Sequence, residues 1–357
     1  MIETKEIEID KNLLEANFYN RPFQFSYSSL NKLLTAPSVF YKEYVLGEKE
    51  ARTEKYLIEG VLIHYLLLDG RAFDEKFMVL PDTMPSENSI KVVQHVFQIY
   101  TEQLSKGEGY PDAELCDFPK EIIEALEEIG VHQSLKDDKD LNKPNAKTGD
   151  QKRLAKILEP KAEEYFKYLK EKGQREIIDS GMLDKCTRRA DLLKTNEEVR
   201  EVLGLDLVSD GTTVGVYEEL PLDMELEGLP FGLKGILDNM VVDVKGKTVR
   251  INDFKTTGKS LQDFPDSVEY WNYWLQAAIY LTLAMEYLKA VIDDSWKFEF
   301  NFVVFDRYDQ MYIYPVSNET MKSWLTRMND SLKEAFYHYN EKDYKLPYKF
   351  VAGKVSL

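Results

Sequence analysis

Residues 231–258 read FGLKGILDNMVVDVKGKTVRINDFKTTG: two β-rich runs joined at a polar Lys-Gly turn. Centring the turn on Lys245 and Gly246 sets the register: Asp238 faces Asp253, Ile236 faces Lys255, Met240 faces Ile251 and Val242 faces Val249. Asp253 and Lys255 are two apart on a strand, so they share a face. The expected face is apolar through Ile236, Met240, Val242, Val249 and Ile251, and ends in two carboxylates and an ammonium. A one-residue slip would expose Val249 and Ile251 while burying Arg250 and Asn252, which argues against it.

Two opposed aspartates repel, and burying both costs several kcal/mol unless a cation neutralises them. A divalent metal held by oxygen ligands is the physical solution. The helix expected over 268–288 places Gln276 and Tyr280 one turn apart on one face. Such a pair alone more often packs than acts. Upstream, YLIEGVLIHYLLL (56–68) is apolar on nearly every face, the mark of a helix buried all round. Within it His64 follows Gly60 by one turn, and the glycine is read as leaving room beside the imidazole.

Outward from these elements, residues 24–46 read as two short helices around Pro37, opened by a Ser-rich cap. A further helix is expected over 184–203 and a strand over 213–220. WKFEFNFVVFDRYDQMYIYPVS (296–317) reads as a strand pair around the polar 306–310 turn, and 319–339 as a last amphipathic helix. This order implies an α/β core with a mixed sheet. Residues 81–210 are polar, Lys- and Glu-rich and mainly helical, so the expectation is one domain over 1–357. In it, 81–210 is a helical insertion, 211–317 the catalytic sheet and helix, and 318–357 a terminal helix and tail.

At 43% hydrophobic residues in 357, the chain can bury a full core, which excludes a disordered or fibrous protein. Against 46 Lys and Arg stand 63 Asp and Glu, a net charge of −17. That is the wrong sign for coating nucleic acid with the whole surface, so DNA would be met by a local basic patch. Two cysteines are too few for a disulfide framework, a four-cysteine zinc site or a cysteine-ligated iron–sulfur cluster, and suit a reducing cytosol. The opening MIETKEIEIDKN has no apolar core of a signal peptide, and no apolar run is long enough to span a bilayer. The expectation is a cytoplasmic protein with no membrane partner.

Four motifs stand in order: GVLIH (60–64), GILD (235–238), DFKTT (253–257) and QAAIY (276–280). In this order and on these elements the chain resembles the PD-(D/E)XK nuclease superfamily, in its RecB-like and exonuclease VIII-like branch. The opening SYSSLNKLLTAPSVFYKEYVLG (26–47) is similar to the start of many such domains. The resemblance implies a restriction-endonuclease-like mixed β-sheet core flanked by helices. It implies hydrolysis of DNA phosphodiesters with Mg²⁺ or Mn²⁺ held by His64, Asp238, Asp253 and the backbone carbonyl of Phe254. Lys255 would act on the attacking water or the transition-state charge, Gln276 would position Lys255 or a phosphate, and Tyr280 would support the sheet or the DNA backbone. Glu218 and Glu219 are candidates for an additional acid. No Walker A motif is present.

The resemblance favours an exonuclease resecting ends for recombination or repair, paired with a single-strand annealing protein. Phage origin rests on family analogy alone, and a homo-oligomer is left open because exonuclease VIII-like relatives form rings. An endonuclease or nickase of the same fold stays open, as does a non-catalytic DNA-end or protein-binding module. Candidate DNA contacts are Lys185, Arg188, Arg189 and Lys194, with a second basic run at Lys147, Lys152, Arg153 and Lys156. The aromatics of 264–274 would stack on a frayed DNA end or pack in the core, the latter being the commoner use.

Overall fold

The computed structural model describes residues 22–48, 55–68, 73–81, 83–107, 109–135, 148–173, 175–207, 214–290, 292–353 and 355. The opening MIETKEIEIDKN, Lys147 and Thr213 lie outside them.

The chain divides into two compact units, residues 1–70 with 186–357, and residues 71–185. In the larger unit, β1 (Phe23–Phe25) leads into α1 (Tyr27–Thr35). The Ser26 cap makes a reciprocal box with Ser29, whose amide and hydroxyl return to Ser26, so the serine run starts the helix as its chemistry demands. Pro37 opens a further short turn of helix, and α2 (Lys55–Leu68) follows. Strands β2 (Phe77–Val79) and β3 (Glu176–Ile178) pair in parallel within the second unit, whose remaining described structure is mainly helical around Val92, Val96, Ile122 and Phe166.

The main sheet takes β4 (Val214–Glu225), β5 (Phe231–Asp243), β6 (Thr248–Thr256), β7 (Lys297–Phe305) and β8 (Met311–Val316), with β1 added in parallel to β5. The β1–β5 and β6–β7 pairs are parallel and the rest are antiparallel, so the sheet is mixed. Helices flank it, α3 (Tyr273–Leu288) being buried along nearly its whole length and α4 (Asn318–Glu341) amphipathic. Both faces of the central strands are covered. On one face lie Met240, Val242, Val249 and Ile251 with α3; on the other a ladder of buried amides runs across three strands. In it Asn301 donates to Asn252 (2.9 Å) and Asn252 to Asn239 (2.7 Å), while Asn239 and Asn252 also donate to the carbonyls of Leu203 and Val202.

The hairpin register is the one read from sequence: Asn239 pairs with Asn252, Met240 with Ile251 and Val242 with Val249. Its turn is held by Asp243, which accepts the Gly246 amide (2.9 Å), and the positive φ falls on Lys247 rather than on the glycine. Two expectations need correction. Ile236 is 51% exposed while Leu237 is fully buried with Met240, so the alternation of faces slips between Leu237 and Met240. Strand regularity fails there because β6 leaves the ladder at Asn239; between residues 234 and 238 that edge of β5 has no ladder partner among the described residues. The helix expected over 268–288 is instead two, Phe264–Tyr270 and α3, separated at Asn272, whose φ is 57°. Asparagine tolerates this left-handed conformation better than most residues.

No helix among the described residues is long and apolar enough to cross a membrane. Cys116 is exposed and Cys186 buried.

Candidate metal and phosphodiester site

The splay of β5 from β6 is where the chemistry gathers. At the position where a ladder bond would continue, the Phe254 amide donates to Asp238 Oδ2 (2.7 Å). A side chain thus takes the place of a backbone acceptor. Asp253 is fully buried, and Lys255 Nζ lies 2.5 Å from its Oδ2. Oδ1 of Asp253 has no hydrogen-bond partner.

On the other side of Asp238, β4 carries Glu219 at φ 49°, a strained value for glutamate, and the Glu219–Asp238 pair is missing from an otherwise continuous β4–β5 ladder. His64 Nε2 sits 3.1 Å from Glu219 Oε1 and 3.6 Å from Asp238 Oδ1, yet makes no hydrogen bond. One ligand atom each from His64, Glu219 and Asp238 falls within a 4.8 Å cluster. The orphaned imidazole nitrogen with the carboxylates of Glu219 and Asp238 suits a divalent cation of the Mg²⁺ or Mn²⁺ kind, the nitrogen favouring Mn²⁺, while the orphaned Asp253 Oδ1 stands outside that cluster.

Electrostatics favour the same conclusion. Burial pushes the Asp253 carboxyl up to about 7, against the pull of Lys255. Burial likewise raises Asp238, opposed by Lys255 and the Phe254 amide. For Lys255 burial pulls downward, but Asp253 and Asp238 outweigh it and hold the ammonium above its ordinary range. Burial lowers His64, so its ring is neutral and able to ligate at neutral pH.

The motif glycines have specific neighbours. A Cβ on Gly60 would lie 2.8 Å from Thr256 Oγ1, so this glycine admits β6 against α2 rather than making room beside the imidazole. A Cβ on Gly235 would lie 2.8 Å from the Tyr280 ring. Tyr280 in turn accepts from Gln276 Nε2 (2.9 Å), both side chains being buried. Gly60→Ala should therefore cost about 1–3 kcal/mol by overpacking, against a gain of about 1 kcal/mol in helix propensity. Thermal melting checks this, and the double variant with Thr256→Ala should recover the loss, since it removes the atom that is struck.

The other candidates separate clearly. Glu219 joins the cluster, whereas Glu218 is exposed and paired across the sheet with Asn239. On helix Ser180–Thr195, Lys185 and Arg188 are exposed, Lys194 is half-buried and Arg189 is buried, both arginines meeting the β7–β8 turn. Arg188 bonds Asp309 (2.7 Å); Arg189 bonds Asp309 (2.9 Å) and the Asp306 carbonyl, and lies 4.4 Å over Phe305. In the second basic run Arg153 is fully buried and paired with Glu127 and Asp150, which removes it from any surface patch. Tyr273, one of the aromatics of 264–274, takes a place that the sequence reading does not give it: its ring lies 4.9 Å from Lys255 Nζ. The signal was there, because Tyr273, Gln276 and Tyr280 stand at i, i+3 and i+7 on one helix face.

A family model described as the PD-(D/E)XK nuclease superfamily matches residues 129–336, more than half of the chain. The match includes Asp238, Asp253, Lys255, Gln276 and Tyr280, and begins after His64. No curated protein matches. Among solved structures the chain is similar to a candidate exonuclease from Eubacterium rectale, 10% identical with a TM-score of 0.39, over 96% of this chain and 88% of that one.

Proposed function

Because this chain belongs to the PD-(D/E)XK nuclease superfamily, we propose that it is a Mg²⁺- or Mn²⁺-dependent deoxyribonuclease that degrades DNA from an end. The observation that carries the reading is the buried Asp253–Lys255 pair beside Asp238 and the unpartnered His64 Nε2. Asp238, Asp253, the Phe254 carbonyl and His64 would hold the ion, with Glu219 as the additional acid. When bound, the ion supplies an acidified water and charge neutralisation at the scissile phosphate. Lys255, its ammonium fixed by Asp253 and backed by the Tyr273 ring, orients the nucleophile and offsets developing charge. Gln276 and Tyr280 hold the helix face that packs on Gly235, three residues from Asp238.

The end-directed activity, a role in resection for recombination or repair, a single-strand annealing partner, phage origin and ring assembly rest on family analogy. The test is end-labelled linear duplex and single-stranded DNA against covalently closed circles, each with Mg²⁺. Release of nucleotides from linear DNA with circles spared is expected. Cutting of circles would make the protein an endonuclease of the same fold, and binding without cutting would make it a DNA-end module.

His64 lies outside the family match, so its role needs its own measurement. His64→Ala should weaken Mn²⁺ binding by more than about tenfold, with the metal-free melting temperature unchanged, because Nε2 makes no hydrogen bond to lose. Wild-type affinity in a variant of lowered stability would return His64 to the core.

A further inference from the structure

Helix Phe264–Tyr270 ends in two large aromatic side chains that the core does not take: Tyr270 is 72% exposed and Trp271 50%. Their rings meet edge to face at 4.6 Å. Exposed aromatics on a loose loop would mean little, but the backbone beneath these is fastened. The Trp271 carbonyl accepts from Tyr27 Oη (2.5 Å) and from Asn31 Nδ2 (3.2 Å), both on α1. Asn272, in its left-handed conformation, donates to Asn31 Oδ1 (2.7 Å) and accepts from Trp274 Nε1 (2.9 Å).

The same anchor reaches the candidate site. Tyr27 lies 6.3 Å from Tyr273, ring to ring, and Tyr273 lies 4.9 Å from Lys255 Nζ. On the other flank Lys259, four residues beyond Lys255, places its ammonium 5.9 Å from the Tyr270 ring. Flat apolar faces held rigid beside a cation, a short way from a phosphodiester site, fit a ligand that is aromatic and anionic by turns along its length.

We propose that Tyr270 and Trp271 form a stacking surface for unpaired bases of single-stranded DNA entering the site. This rests on the nuclease reading above. A protein partner fits less well, because the two rings are bordered by Lys259, Glu269 and Asn272 and are too small a patch for a stable protein interface. Bases inside a duplex are already stacked on each other, so beyond the terminal pair it is an unpaired strand that offers free faces.

The test is binding by the full-length chain with Ca²⁺ in place of Mg²⁺, using fluorescein-labelled dT12 and an abasic 12-mer with the same phosphates. Trp271→Ala with Tyr270→Ala should weaken dT12 binding by about tenfold or more, leave abasic binding unchanged and leave the melting temperature unchanged. Trp271→Phe with Tyr270→Phe should keep wild-type affinity. Equal dT12 affinity in the alanine variant and wild type, an equal loss for the abasic strand, or no dT12 binding by wild type would each overturn the stacking surface. Its failure is separable from that of the nuclease reading. Wild type that binds dT12 through these rings yet never cuts sinks the nuclease reading alone, and wild type that cuts while the alanine variant binds normally sinks the stacking surface alone.

Discussion

Asp253→Asn should lose DNA cleavage by more than about a thousandfold and yet melt at a higher temperature than the wild type in EDTA. Loss of the carboxylate charge at a fully buried position leaves too little charge to hold a divalent cation. The stability gain follows from the carboxyl's raised value of about 7. A folded chain that keeps this proton while the unfolded chain releases it near 4 is fully stabilised by the group only below about pH 4. That contribution is lost as pH rises through 7, where the wild type must bury a charge or hold a costly proton. Asparagine keeps the shape without the charge, so the variant should gain about 1–3 kcal/mol at pH 8 and little at pH 4. Denaturant melts at the two pH values, both without metal, check the sign. A variant less stable at pH 8 than the wild type would mean that Asp253 is a structural partner of Lys255 and little else.

Lys255→Met should lower cleavage by about a hundredfold to ten-thousandfold while Mn²⁺ affinity stays equal or improves. The ammonium sits 2.5 Å from Asp253 and so competes with any cation for the same oxygen. Methionine keeps the contact with the Tyr273 ring and removes only the charge. Without the lysine, burial acts on Asp253 unopposed, so its carboxyl rises further and proton release on metal binding should grow. Loss of Mn²⁺ binding in this variant would place Lys255 in assembly of the site rather than in the chemistry.

Much of this was legible because the β5–β6 register has few ways to satisfy both faces. Val249 and Ile251 opposite Val242 and Met240 fix the pairing as far as Asn239 and Asn252, one residue short of Asp238 and Asp253. What was illegible is the departure from regularity. Nothing in the local sequence says that β6 quits the ladder after Asn252, because the cause is a side chain, Asp238, capturing the Phe254 amide across the gap. The same holds for Glu219: its choice over Glu218 depends on a backbone kink set opposite Asp238. Gly60 was visible as a motif residue, but its partner Thr256 is nearly two hundred residues away, and no local pattern reveals it. Charge was the least reliable guide. Arg189 looks like a DNA contact in sequence and is buried against Asp309, a residue on a distant turn, whereas Arg188 meets the same aspartate with its side chain still 61% exposed.

The most direct measurement is calorimetric titration of Mn²⁺ into the wild type and into Asp253→Asn at pH 6.5, repeated in two buffers of different ionisation heat. Cation and protons compete for the same buried oxygens, so binding to the wild type should release close to one proton, and binding should be lost in the variant. Equal Mn²⁺ affinity in the two proteins, or binding without proton release, would contradict a metal held at Asp238 and Asp253.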